Sequence, residues 1–215
     1  MATNITSWIP DVSPAAPGCP NQVLKSSILE ICRDFCKHTQ LWNNQALTAI
    51  DIVALTADYT LSSLLGDIAF IDAVLVDSNP IWPTTIEELN ALFRYWRSTT
   101  ETRPSRYVVE AADSIKLVYK PSEAVTAGLE VFVSLMPLRT ATTVQDFIYR
   151  DHKEAIANGA IGKLLDIPNV PWSNIELAAV YTSRYEAARD TAKLMKFTGR
   201  APTELIATRR ANFFA

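Results

Sequence analysis

Residues 144–165 read VQDFIYRDHKEAIANGAIGKLL and are closed by Asp166-Ile167-Pro168. The segment reads as a helix, yet Gly159 and Gly162 sit inside it. A glycine within a helix costs about 1 kcal/mol relative to alanine. Two of them beside Ala155 and Ala160 point to a neighbouring helix packed close against this face. Pro171-Trp172-Ser173-Asn174 is punctuation, with Ser173 or Asn174 as N-cap and Glu176 in the first turn. A long helix then runs to about Thr198, where Gly199 and Pro202 stop it. Its stripe is Leu177, Ala178, Val180, Tyr181, Tyr185, Ala188, Ala192 and Met195.

Near the other end, Val23, Leu24, Ile28, Ile31, Cys32, Phe35 and Cys36 recur at spacings of three and four, which predicts an amphipathic helix over 22–39. Before it, WIPDVSPAAPGCP (residues 8–20) carries four prolines and reads as an extended lead-in. In the centre, residues 47–55, 57–61 and 70–76 have the β-branched, partly alternating content of strands. Residues 85–99 return to a helical period, with Thr84 or Thr85 as cap and Glu87 and Glu88 in an acidic first turn. Residues 106–110, 114–119 and 129–135 then read as three antiparallel strands separated by turns.

The expected architecture is therefore α+β: a bundle of long N- and C-terminal helices, a central antiparallel β-rich insertion and an extended C-terminal arm. The 215 residues fit a single domain. Within it, 1–20 is the lead-in, 21–42 and 143–199 the helical bundle, 43–142 the β-rich insertion with its short helix, and 200–215 the arm.

Composition narrows the function. With 48% hydrophobic and 20% charged residues the chain is not disordered as a whole. A net charge of −3 lacks the basic excess of nonspecific nucleic-acid binders. The charge is uneven, however: from Arg189 onward six basic residues face two acidic ones, a local +4 that leaves −7 on the remainder. The start has no basic and apolar leader, and no run approaches the roughly 18 apolar residues of a membrane span, so a soluble, unsecreted protein is expected. Three cysteines (Cys19, Cys32, Cys36) do not suggest a disulfide framework and fit a reducing compartment.

Catalytic motifs are scarce. The six glycines are too dispersed for a phosphate loop, and no G-x-S-x-G elbow accompanies the two histidines, His38 and His152. Cys32 and Cys36 with His38 form at most half a zinc site, and both cysteines lie on the apolar stripe, where they read as small hydrophobes. Glu87, Glu88, Glu101 and Glu110 read as solvated charge. Trp42, Trp82, Trp96 and Trp172 offer stacking rings, but large aromatics at element ends read first as core anchors. No cofactor, metal site or enzymatic activity is expected. The tail RAPTELIATRRANFFA (200–215) reads equally as an interface arm, with arginines and aromatics as anchors, or as a solvated terminus.

Several segments taken together resemble the head-to-tail connector, or neck adaptor, proteins of tailed bacteriophages. WIPDVSPAAPGCP leads into LEICRDFCKHTQLW, where Phe35, Cys36, Thr39 and Trp42 look like that family's N-terminal helix. Then follow YKPSEAVTAGLEVFVSLMP (119–137), YRDHKEAIANGAIGKLLDIPNVPWSN (149–174) and AAVYTSRYEAARDTAK (178–193). Their order is similar to the family's strand, proline turn, Ala/Gly-rich helix, Pro-Trp-Ser-Asn junction and final long helix. The resemblance covers residues 8–42 and 117–198; the centre is only generically similar.

The resemblance implies a structural virion protein. Such adaptors form a ring, typically of about twelve copies, beneath the portal and continue the DNA channel toward the tail. They assemble in the host cytoplasm and reside at the neck. The implied partners are further copies of the chain, the portal protein, the next neck or tail protein, and packaged DNA passing without sequence-specific contact; no membrane is involved. A C-terminal arm commonly docks into the portal, which makes Arg200, Arg209, Arg210, Phe213 and Phe214 the candidate anchors here. The alternatives are another neck or tail ring component, such as a tail-completion protein, and a small ligand-binding domain or enzyme built on the tryptophan-lined centre.

Overall fold

The structure is a computed structural model that describes residues 2–43, 45–93 and 95–198, the last two of these by backbone only. The first twenty residues are not an extended lead-in. Strand β1 (Ala2–Asn4) is followed by a 3-10 turn (Ile5–Trp8), the short helix α1 (Ile9–Val12) and a second 3-10 turn (Ser13–Ala15). Asn4 starts this series by accepting the Thr6 amide at 2.9 Å, and Pro10 and Pro14 stand at first-turn positions, where their missing amide costs nothing. Helix α2 (Asn21–Thr39) follows, ended by Gln40 in the left-handed region at φ 52°.

The centre holds most of the strands: β2 (Gln45–Ala46), β3 (Ile50–Ile52), β4 (Asp58–Thr60), β5 (Asp67–Val76), β6 (Asn79–Pro83), β7 (Thr100–Glu101), β8 (Arg106–Ala111), β9 (Ser114–Val118), β10 (Lys120–Pro121) and β11 (Val125–Met136). Helix α3 (Ile86–Leu92) lies between β6 and β7. Strand β12 (Thr143–Gln145) then leads into helices α4 (Asp146–Leu165) and α5 (Ile175–Thr198). The main sheet runs β2-β11-β5-β6-β8-β9-β4, with β3 also on β11. Residues 45–60 therefore supply strands to both margins: β2 and β3 pair with β11, and β4 pairs with β9. The Tyr59 hydroxyl ties this strap together by accepting the Val53 amide at 3.2 Å and donating to the Thr56 carbonyl at 3.1 Å.

This overturns the expected α+β bundle with a β-rich insertion. The chain is mostly β, with curled sheets forming a half-barrel, and is not a bundle of long terminal helices. The reason is physical. The strands are no ornament on a helical body, because they enclose their own core: Trp42, Ile52, Leu61, Leu129, Val131 and Leu135 among others are buried between them. The helices, in turn, are not uniform rods. Helix α1 is a single turn, and α4 is broken at His152, whose φ and ψ are −132° and 21°. The three predicted strands 106–135 are also rearranged. Strands β8 and β9 form a hairpin, but β11 pairs with β5 instead of continuing that meander.

Other local readings match the structure. Thr85 caps α3 by accepting the Glu88 amide at 3.2 Å, although the helix ends at Leu92. Asn174 caps α5 by accepting the Leu177 amide at 3.0 Å. The close approach at the α4 glycines is present: a Cβ on Gly159 would lie 2.7 Å from Ile31 Cγ2, and one on Gly162 would lie 2.7 Å from Thr182 Oγ1.

A second core joins the N-terminal turns, α2, α4 and α5. It includes Trp8, Leu24, Ile28, Phe35, Ile148, Ile156 and Tyr185. Two polar anchors fix α2 at this junction. Arg33 donates to Asp67 at 2.6 Å and to the Pro137 carbonyl, so it grips the start of β5 and the chain just after β11. Tyr185 of α5 donates to Asp34 at 2.7 Å. Burial and the Asp34 carboxylate push this phenol well above the usual tyrosine range.

Cys32 and Cys36 are buried in the helical core. Burial pushes both thiols up, that of Cys36 to about 12. Thiolates are the reactive form, so native protein treated with an aromatic disulfide reagent at pH 8 should titrate one thiol, Cys19, and denatured protein three. Fast reaction of two or more in the native state would contradict the helical core.

Candidate interaction surface: an open seam in the sheet

Strand β5 pairs with β11 along its whole length, but with β6 only through Val74, Leu75 and Val76. Beyond Ile81, β6 turns away and its last residues, Trp82 and Pro83, pair in parallel with Arg106 and Tyr107 of β8. Between residues 67–73 of β5 and residues 108–111 of β8 the sheet is left open, and neither stretch has a strand partner on that side among the described residues. The split follows from local chemistry. Asp77 and Ser78, at φ 50° and 60°, make the tight turn that brings β6 back along β5. Pro80 and Pro83 then bring no amide to the ladder, which confines β6 to a short pairing on either side.

Two register shifts in β5 widen the opening. One falls where Phe132 and Val133 oppose Ala73 and Ile71, leaving Asp72 extra; the other falls where Ser134 and Leu135 oppose Phe70 and Ile68, leaving Ala69 extra. Such bulges bend a strand and increase its twist. The result is a trough of about 690 Å³ lined by β5, β6 and β8. Trp82 is 69% exposed at its rim, with Phe70 and Val109 also exposed and Pro80, Ile81 and Tyr107 lining it.

The trough contains one carboxylate, Asp72, and it is engaged. Ser134 donates to both of its oxygens at 2.9 and 2.8 Å, and Lys196 near the end of α5 approaches at 3.4 Å. Burial, with Asp72 adding to it, raises the Tyr107 phenol above its usual range. Exposed aromatic rings, prolines and sheet edges with no strand beside them among the described residues are the chemistry of a surface that accepts an extended peptide.

The tryptophans divide accordingly. Trp42 and Trp96 are buried as core anchors and Trp172 packs partly buried against the helical core, whereas Trp82 faces outward. Sequence reading named Trp82 but missed strand β6 that presents it, because the two prolines disguise NPIWP as a turn. Arg200, Arg209, Arg210, Phe213 and Phe214 lie outside the described residues. The carboxylates do not converge. Glu88 accepts from Thr84 and Arg106, the Thr84 hydroxyl holding it below the usual carboxylate range, and Glu110 pairs with Lys116. Among the described residues no group of three or more His, Cys, Asp or Glu side chains is placed to hold a metal ion, and no helix is long and apolar enough to cross a membrane.

A second recess of about 550 Å³ lies between α4 and α5, with Asp151, Glu154, Arg184 and Met195 on its lining. Helix α5 further exposes Ile175, Val180 and Leu194, and the loop before β5 exposes Leu64 and Leu65. No known protein-family model matches the chain, and no curated protein matches it.

Proposed function

We propose that this chain is a structural, non-catalytic component of a bacteriophage neck, a head-to-tail adaptor whose copies form a ring beneath the portal and continue the DNA channel. The observation that carries this reading is the pair of unlike apolar surfaces on one chain, a concave trough holding Trp82 and a protruding loop holding Leu64 and Leu65. Exposed apolar patches of this kind mark protein contacts. A ring needs them in two different forms, because each copy must offer one face to the copy before it and another to the copy after. The segment-by-segment resemblance of 8–42 and 117–198 to neck adaptors supports the same reading. So does the mild net acidity, since a channel through which DNA slides is better lined by neutral or acidic groups than by a phosphate-gripping basic stripe.

Sedimentation and negative-stain imaging test it, with the protein alone, with the portal ring of the same phage, and with residues 200–215 deleted. The expected result is a ring that joins the portal and loses the joining on deletion. A ring that ignores the portal would make the chain a different neck or tail component. A monomer that ignores the portal would refute the reading.

A further inference from the structure

We propose that the free chain pairs with a second copy of itself through the outer face of α5, in an antiparallel two-fold contact centred between Ala187 and Ala188. The contact lies apart from the trough and the loop of the ring reading and goes beyond it. A two-fold contact closes at two copies, so it describes the chain before it meets its assembly partners.

Helix α5 carries two stripes. One, formed by Ala178, Tyr185 and Ala192, is buried in the helical core. At 3.6 residues per turn, Leu177, Val180, Arg184, Ala187, Thr191 and Met195 form a second stripe about a third of a turn further round. All six are exposed. The opposite side is charged, with Glu186, Asp190 and Lys193. One apolar stripe serves one packing neighbour, so the second stripe is suited to another.

Charge identifies that neighbour. The second stripe holds one charged side chain, Arg184, whose guanidinium lies 5.6 Å from the centre of the Tyr181 ring. The recess beside it is also lined by Glu154 of α4. Neither is in an ion pair among the described residues. The register of the two helices keeps them apart. A Cβ on Gly159 would meet Tyr185 and one on Gly162 would meet Thr182, which sets α4 antiparallel to α5. The same register puts Glu154 level with Asp190, about 9 Å along the axis from Arg184.

A second copy brings the two charges together. Antiparallel pairing centred between Ala187 and Ala188 sets Arg184 against Thr191 of the second copy, one residue from the level of that copy's Glu154. It also sets Val180 against Met195 of the second copy. Both meetings occur twice, by symmetry, and the small alanines at the centre let the helices approach closely. Parallel pairing in register would instead lay Arg184 against Arg184, a like-charge contact.

Sedimentation of the full chain alone, over a dilution series, should show a reversible dimer. Arg184→Glu and Glu154→Arg each set like charges against one another in both halves of the contact, and each should weaken the dimer at least about a hundredfold. Mixed in equal amounts, the two variants should form a heterodimer, because each copy then carries the sign that the other lacks. The double variant should dimerise within about tenfold of wild type. Val180→Asp, which acts on the apolar part, should be monomeric. These side chains are exposed, so every variant should keep the wild-type circular dichroism.

A wild-type chain that stays monomeric at every concentration, or that assembles past two copies, overturns the contact. So does a dimer that neither charge reversal weakens, or a mixture of the two variants that stays monomeric. A mixture that grows beyond two copies overturns the two-fold, since alternating copies would then be joined head-to-tail. A monomer that dimerises only after residues 200–215 are deleted overturns it as well, because the chain's own end would then fill the recess. All of these are read without the portal, so the ring reading stands or falls separately, on joining the portal.

Discussion

Replacing Trp8 by alanine should destabilise the folded chain by about 3–5 kcal/mol, the range for removing a fully buried large aromatic. Trp8 is 0% exposed, meets the Tyr149 ring edge-to-face at 4.7 Å between centroids, and donates its Nε1–H to the Lys153 carbonyl at 3.1 Å. Alanine would leave a cavity at the centre of the helical core and a buried carbonyl without its donor. The clasp that carries Trp8 also buries Ile5, Val12 and Ala16, and at its surface it is held by the ladder of β1 on β12, Thr3 bonded to Asp146, and Lys153 paired with Asp11. Surface pairs of this kind contribute less than about 1 kcal/mol each. Urea unfolding of wild type and variant measures the difference, and thermal melting should fall by about 10 °C. A loss under about 1 kcal/mol would mean that the clasp is not seated on α4.

The second large effect is expected at Gly162. A Cβ there would stand 2.7 Å from Thr182 Oγ1, 3.0 Å from the Thr182 amide nitrogen and 3.3 Å from the Ala178 carbonyl oxygen. Two of these three are main-chain atoms of α5, which cannot swing aside as a side-chain tip can. Gly162→Val therefore forces the two helices apart, and overpacking of this kind costs about 1–3 kcal/mol or more. Gly162→Ala meets the same obstruction but regains about 1 kcal/mol of helix propensity, so its loss should be clearly smaller. The graded pair separates crowding from propensity: an alanine variant more stable than wild type would show that α5 does not lie against this face.

These two sites show what could be read from the sequence. The glycines were legible because a glycine inside a helix is a local anomaly with few physical causes, and close packing is the commonest. The caps were legible to within one residue, as Thr84 or Thr85 and Ser173 or Asn174, since each depends on residues within one turn. Trp8 was not, because four prolines around it read as an extended chain, whereas Pro10 and Pro14 occupy first-turn positions of short helices. The overall architecture was not legible either. Periodicity locates strands and helices but does not say which strands pair, and β11 leaves the meander for β5, more than fifty residues earlier in the chain. The seam lay furthest from reach. It depends on a five-residue strand with two prolines, on two bulges set by pairing across the sheet, and on a backbone edge that has no sequence signature at all.

The N-terminal clasp has a consequence for how the protein is made. Its binding surface, begun by α2, is completed by β12 and α4, so Ala2–Asn4 find their partners, Thr143–Gln145, only after some 140 further residues have been made. At about 5–20 residues per second, synthesis keeps Trp8 waiting for roughly 7–28 s for its full partner surface. Until then the strands before β11 can pair only with one another, because β11, the partner of β2, β3 and β5, emerges just ahead of β12. The β1–β12 pairing is thus one of the last that synthesis makes possible, and a bulky fusion placed before Ala2 should act on that closing step.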